Sequence, residues 1–299
     1  MKKKFTWFLI LFLTNGILSY SKEEPHFPEI DSIKSYFERI QNSNSDRQKE
    51  NINDELITYF ITFLEKPQSF TASFDSLQYV SVLRSDDNLL NIFTWNLYFE
   101  DGKFKYFGFL QYKTKDKILV YFLNDKKYKS DETDEEITRN YLSNMEWYGA
   151  IYYEIVTKKW NSETYYTLIG WDGANFLINR KIVEILRFNK HNLPVFGGKI
   201  FQYNKTFKNR FVFEYADRAT MLLRYNPQQN MIVMDHLAPP EEKYRNLYQY
   251  YGPDLSYDAL IFRNGKWILE LDIDAELAIP YKKNQKVNTI KKHGINTDF

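Results

Sequence analysis

The stretch LLNIFTWNLYFEDGKFKYFGFLQY (89–112) decides the fold, because two apolar, aromatic-rich runs flank the dipeptide Asp101-Gly102. Asp-Gly is a preferred two-residue hairpin turn, since both positions need positive φ. With such a turn, Phe99 pairs with Phe104, and apolar residues face each other along both strands. The stretch therefore predicts an antiparallel hairpin with that register.

Two further dipeptides give similar signals. Asn264-Gly265 separates two apolar runs, and a two-residue turn there pairs Phe262 with Trp267. Asp172-Gly173 follows another apolar run. The chain is also aromatic-rich, at 18% Phe, Trp and Tyr, and such residues favour strands. The three dipeptides are unequally spaced and share no flanking pattern, which argues against a repeat architecture.

Helical periodicity is confined to fewer stretches. Apolar residues recur at helical spacing within 28–66 and are interrupted only at 42–45, which predicts a helical pair. Residues 178–188 carry a similar stripe, which predicts a further helix. The sequence thus predicts an α+β fold: an N-terminal helical pair followed by antiparallel sheet built from β-hairpins with one or two packed helices.

The first 21 residues have the order of a secretory signal. The basic residues Lys2–Lys4 precede a largely apolar run, Phe5–Leu18, and then Ser19 and Ser21 supply the small residues of a cleavage site. The apolar run is shorter than the roughly 20 residues that span a bilayer. We expect cleavage after Ser21 and an exported protein, periplasmic or secreted, with no membrane span after signal removal.

The composition of the rest of the chain indicates three regions. We expect an N-terminal helical segment at 22–66, an antiparallel β-rich domain at 67–280 and a basic, flexible tail at 281–299. A polar, acidic stretch at 124–136 marks a possible internal boundary within the β-rich domain.

Charge and cysteine content exclude several classes of protein. The chain has 40 basic and 39 acidic residues, and removal of Lys2–Lys4 leaves 37 against 39. Such a balance does not suit a phosphate backbone, so we expect no binding to nucleic acid. The chain is cysteine-free, which excludes disulfides, a cysteine nucleophile and a lipid-modified N-terminal cysteine.

No residue set forms a catalytic or metal-binding motif, and we expect no cofactor and no metal. The most unusual region is 235–258, which combines five tyrosines with acids and a single imidazole. From it we select Tyr250, Tyr251, Asp254 and His236 as candidate ligand-binding residues, because rings stack on a ligand while acids and imidazole make polar contacts.

Several strings resemble a family of uncharacterised exported proteins of Gram-negative bacteria. They are WYGAIYY (147–153), YTLIGWDG (166–173), PVFG (194–197), DHLAPP (235–240) and YGPD (251–254). That family carries no assigned activity, so the resemblance implies export and little else. It also adds Asp172, which lies in the second string, to the candidate ligand-binding residues.

These observations support two hypotheses of function and do not decide whether the protein is an enzyme. The first is a non-enzymatic, exported envelope protein that binds an envelope ligand or protein partner through an aromatic-rich surface. The alternative is a hydrolase that acts on envelope polymer, with His236 and either Asp235 or Asp254 in acid–base roles.

When the full-length gene is expressed in a Gram-negative host, we expect the protein outside the cytosol with Lys22 as its first residue. N-terminal sequencing and the intact mass of the recovered protein measure this. Leu11→Asp interrupts the apolar run and should leave the chain uncut in the cytosol. A wild-type chain that stays in the cytosol and retains Lys2–Lys4 contradicts the assignment.

Overall fold

The computed structural model describes most of the chain between residues 26 and 297. The described residues are 26–125, 139–274, 276, 290–292 and 295–297. The predicted signal peptide (1–21) lies outside them, as do residues 126–136 of the predicted boundary. The predicted tail (281–299) is described only at two short strands.

Two α-helices open the described chain, α1 (Pro28–Gln41) and α2 (Asp46–Leu64), and strands dominate the remainder. The strands are β1 (Ser81–Arg84), β2 (Leu90–Tyr98), β3 (Phe104–Lys113), β4 (Ile118–Asn124), β5 (Ile151–Trp160), β6 (Glu163–Asp172), β7 (Ile178–Phe188), β8 (Pro194–Phe196), β9 (Phe201–Tyr203), β10 (Thr206–Lys208), β11 (Arg210–Ala216), β12 (Leu223–Asn226), β13 (Met231–Ala238), β14 (Gly252–Arg263), β15 (Lys266–Ile273), β16 (Ile290–Lys292) and β17 (Ile295–Thr297). The predicted helical pair and the α+β class are both confirmed.

The elements stack in four layers. The helices cover one face of the first sheet, β1-β2-β3-β4. The other face of that sheet packs on the second sheet, β11-β7-β6-β5, to which β8 adds beside β7. The second sheet packs in turn on the third, β10-β9-β15-β14-β13-β12. Neighbouring strands in these sheets are antiparallel, except that β15 and β9 are parallel.

The helices form because their apolar residues lie on one stripe. Pro28 occupies the first turn of α1, where its missing N–H is not needed. The side chain of Ser45 caps α2 by accepting a hydrogen bond from the N–H of Gln48 at 3.3 Å. The Nε1–H of Trp95 donates to Asn53 at 2.7 Å and ties α2 to the first sheet. In the part of the chain that the structure describes, no helix is long and apolar enough to cross a membrane.

The first predicted hairpin forms, but its predicted register is wrong by one residue. Tyr98, not Phe99, pairs with Phe104. Gly102 has φ +81°, and its N–H donates to the carbonyl of Phe99 at 3.0 Å. The connection is therefore a three-residue loop with glycine in the left-handed position of a bulge, rather than a two-residue turn.

Burial on both faces explains this error. Phe93 and Trp95 pack toward the helices, whereas Ile92 and Leu110 pack toward the second sheet. A shift of one residue exchanges one apolar set for the other, so the hydrophobic pattern specifies the register only weakly.

The hairpin at Asn264-Gly265 has the predicted two-residue turn. Both residues have positive φ, at 49° and 75°. Phe262 pairs with Trp267 as predicted. Here the turn chemistry alone sets the register, because the turn type needs positive φ at both positions.

The predicted helix at 178–188 is wrong, because these residues form strand β7. Val183 and Ile185 face the third sheet, and Ile182 and Leu186 face the first sheet. A strand that is buried on both faces loses the alternation of apolar and polar residues. Its continuous apolar run then fits a buried helix as well as a strand.

A buried ion pair links β7 to β11. Arg210 Nε lies 2.9 Å from Glu184 Oε2, and both side chains are fully buried. The hydroxyl of Tyr152 donates to the other oxygen of Glu184, and Trp147 Nε1–H donates to that hydroxyl at 2.7 Å. Burial, together with the charge of Glu184, raises the pKa of Tyr152 well above its usual range, so the phenol stays a donor.

Removing one partner of this ion pair should cost more stability than removing both. Arg210→Met leaves a carboxylate buried without its cation, and we expect the free energy of unfolding to fall by about 3–5 kcal/mol. The double variant Glu184→Leu/Arg210→Met should recover most of that loss. Urea unfolding measures both, with Arg218→Met at an exposed site as the control. If Arg210→Met is as stable as the wild-type protein, the prediction is wrong.

Candidate functional site

Three predicted ligand-binding residues, Tyr250, Tyr251 and Asp254, lie on one of two chain segments that meet around the end of β11, while Asp172 and His236 lie on the strands β6 and β13 from which these segments leave. The first segment is the loop 173–177 between β6 and β7. The second is the chain from 239 to 256, which leaves β13 and enters β14. Two backbone hydrogen bonds bring the segments together, from Asp217 N to Leu177 O and from Ala216 N to Tyr251 O, both at 2.9 Å.

Asp172 is the last residue of β6 and is buried rather than exposed to a ligand, since it is only 1% exposed. Its carboxylate accepts hydrogen bonds from the Tyr148 hydroxyl at 3.3 Å and from Ala174 N at 3.1 Å. Arg180 Nη1 approaches the same carboxylate at 3.5 Å. Ala174 is held at φ +41°, a conformation that alanine rarely adopts. Asp172 therefore acts by fixing the loop 173–177.

Both segments carry exposed apolar side chains. The loop after β6 presents Phe176 and Leu177, which are 63% and 62% exposed, and the second segment presents Leu247 and Tyr248. The Tyr248 ring packs against the ring of Tyr251, with the centroids 5.1 Å apart. These five residues are called the aromatic surface below. Phe176 was not selected from the sequence, because it follows a dipeptide that predicts a two-residue turn rather than an exposed loop.

Tyr250 borders the aromatic surface. It ends a short 3-10 turn, Tyr248–Tyr250, and its ring stacks on that of Tyr244 with the centroids 4.3 Å apart. The N–H of Asn246 donates to the Tyr251 hydroxyl at 3.1 Å. Each predicted tyrosine thus packs on a neighbouring tyrosine of its own segment, and both are only half-buried, so part of each ring is exposed to a ligand.

His236 lies at an irregularity of the third sheet. Its two chain neighbours pair with Pro253 and Tyr257, so His236 alone faces residues 254–256 of β14. Leu255 in this bulge has φ +78° and is 90% exposed. A branched apolar residue in that conformation is strained. The bulge interrupts the regular ladder where β14 passes His236.

The partner of His236 is Asp258, which the sequence analysis does not select. His236 Nδ1 lies 2.9 Å from Asp258 Oδ2, with 36% of the histidine side chain and 10% of the aspartate side chain exposed. The N–H of Asp272 donates to the other oxygen of Asp258 at 3.0 Å. An ionised carboxylate only accepts hydrogen bonds, so Nδ1 carries the proton and Nε2 of the neutral ring is the acceptor.

Asp235 and Asp254 are the acids that were predicted to act with His236. They lie near it, but its hydrogen-bond partner is Asp258. Asp235 accepts a hydrogen bond from Leu222 N at 2.7 Å, and burial raises the pKa of Asp235, aided by the charge of Asp254. Burial alone raises the pKa of Asp254 too, but hydrogen bonds from Ser256 outweigh it and lower that pKa. Asp235, His236, Asp254 and Asp258 are called the histidine cluster below.

No bound metal is implied by these groups. Within residues 26–125 and 139–274 and the short described pieces beyond, no three histidine or acidic side chains converge as metal ligands do. Directly after β15, the carboxylate of Asp274 accepts a hydrogen bond from the N–H of Glu276.

A buried cation lies apart from the site, between the second and third sheets. Burial lowers the pKa of Lys181 to about 7. Its ammonium lies 4.4 Å from the centre of the Tyr153 ring, and the residue is 2% exposed. Lys181 is therefore enclosed in the core and does not reach the aromatic surface.

No family model, curated protein or solved structure matches this chain. The resemblance to exported proteins of Gram-negative bacteria stays a prediction, and the function has to be argued from the geometry.

Asp172→Asn should release the loop that carries Phe176. The variant weakens charge-assisted hydrogen bonds worth about 1.5–3 kcal/mol, so we expect the amides of 173–177 to exchange hydrogen about tenfold faster or more. Hydrogen exchange followed by mass spectrometry measures this. Asp116→Asn, at an exposed turn, is the matched control. Unchanged exchange in the loop is incompatible with the anchoring role.

Proposed function

We propose that this protein is exported to the cell envelope and binds an envelope glycan there through the aromatic surface. The observation that carries the proposal is the exposure of four apolar side chains, Phe176, Leu177, Leu247 and Tyr248, on two distant chain segments that both hydrogen-bond to the end of β11. Export rests on the signal-like order of residues 1–21.

The exposure of these side chains argues for a binding role. Apolar surface in water is unfavourable, and contiguous exposed patches mark binding sites more often than scattered single residues do. Their loops are also fixed in place, one by Asp172 and the other by the bond from Ala216 N to Tyr251 O. A fixed surface loses little conformational entropy when a ligand binds.

The chemistry of the surface suits a sugar polymer. The rings of Phe176, Tyr248 and Tyr251 offer apolar faces on which the C–H side of a sugar ring can pack. Glu214 lies near the end of β11 and Asp217 follows the strand; Arg180 Nε–H donates to Glu214 at 2.9 Å, and Asn179 Nδ2–H donates to Asp217 at 3.1 Å. A carboxylate accepts several hydrogen bonds at once, so hydroxyl donors of a sugar can add to these contacts beside the apolar faces.

Binding can be measured by retention on insoluble peptidoglycan sacculi and on an array of envelope glycans. Phe176→Ser/Tyr248→Ser removes two exposed rings, and we expect its affinity to fall about tenfold or more, as for central aromatic contacts elsewhere. Phe207→Ser removes a ring that is 40% exposed on β10, at the edge of the third sheet, and serves as the control. It should bind like wild type.

Two results count against the proposal. One is that the wild-type protein binds neither sacculi nor any glycan on the array. The other is that the double variant is retained as well as the control variant.

A further inference from the structure

We infer that the histidine cluster is an acid–base site that hydrolyses acyl esters, with His236 as the general base and Asp258 as its positioning residue. This activity goes beyond the proposed binding function. It also differs from the alternative drawn from the sequence, because the carboxylate that holds the imidazole is Asp258 and not Asp235 or Asp254.

The geometry of His236 carries the inference. Asp258 is nine-tenths buried, and the N–H of Asp272 fixes its second oxygen, so the carboxylate is held in one orientation. It accepts the Nδ1 proton of His236 and fixes the tautomer. In the part of the chain that the structure describes, Nε2 has no hydrogen-bond partner. A half-exposed imidazole whose other nitrogen is fixed by a carboxylate has the arrangement of a general base.

The residues around His236 can stabilise the protonated imidazole that forms during general-base catalysis. The imidazole gains a proton during the reaction, and Asp254 and Asp258 are carboxylates that stabilise the resulting positive charge. The bulge at 254–256 keeps β14 from pairing regularly beside Nε2. An irregular stretch of β14 and two carboxylates therefore adjoin the same imidazole.

The arrangement favours esters over glycosides. Hydrolysis of a glycoside generally uses two carboxyl groups on either side of the bond, whereas here a single positioned imidazole is presented. In the proposed step, His236 Nε2 takes a proton from water as the water oxygen bonds to the acyl carbon. The ester C–O bond then breaks, and the alcohol leaves with the proton returned by Nε2. The products are an acid and an alcohol, and no co-reactant is needed.

The test is the hydrolysis of p-nitrophenyl acetate by the full chain. Removal of a general base lowers rates by about 100-fold or more, so His236→Ala should lose most of the wild-type rate. His191→Ala removes another exposed imidazole and should keep the wild-type rate. His236→Gln replaces the alanine variant if that variant loses its native circular dichroism. A wild-type rate equal to that of the His236 variants overturns the inference.

The positioning role of Asp258 can be tested separately. In Asp258→Asn we expect slower hydrolysis together with a shift of the neutral His236 proton away from Nδ1, seen in nitrogen-15 spectra of labelled histidine. An unchanged tautomer and rate overturn its positioning role. Failure here is distinguishable from failure of glycan binding, because the ester assay contains no glycan and retention on sacculi is measured separately.

Discussion

Burial of both faces of the first two sheets is the constraint on which the structure depends. Each sheet lies between two other layers, so every side chain of its central strands must be apolar or paired. Glu184 and Arg210 meet this condition by bonding each other, and Asn91 and Gln111 meet it by a side-chain bond of 2.9 Å between β2 and β3. These polar pairs cross between strands at fixed positions, so they select one register where apolar contacts alone would permit several.

This constraint also decides what the sequence can predict. The helices were predictable because each buries a single stripe, which leaves a clear 3.6-residue period. The turn at Asn264-Gly265 was predictable because it depends on local backbone chemistry. The register of the first hairpin and the identity of β7 were not, since both depend on which layers cover the two faces of a strand. That information lies in distant parts of the chain.

In the candidate site, too, some residues could be predicted from the sequence and others could not. The residues Tyr250, Tyr251 and His236 stand out locally, because tyrosines and a lone imidazole are concentrated in one stretch. Asp258 could not be paired with His236 from the sequence, since the contact depends on the bulge in β14 and not on spacing. Phe176 could not be predicted for a similar reason, because its exposure depends on the loop 173–177, which Asp172 fixes in place.

The two proposed activities share one length of chain. Tyr251 belongs to the aromatic surface, and Asp254, three residues later, belongs to the histidine cluster. Three residues of extended chain span about 10 Å, which is comparable to two sugar rings in a polymer. If both proposals hold, a substituted glycan bound on the aromatic surface would bring an ester substituent toward Nε2 of His236. Ring contacts would then supply affinity, and binding energy gained at one site would orient the bond that is cut at the other.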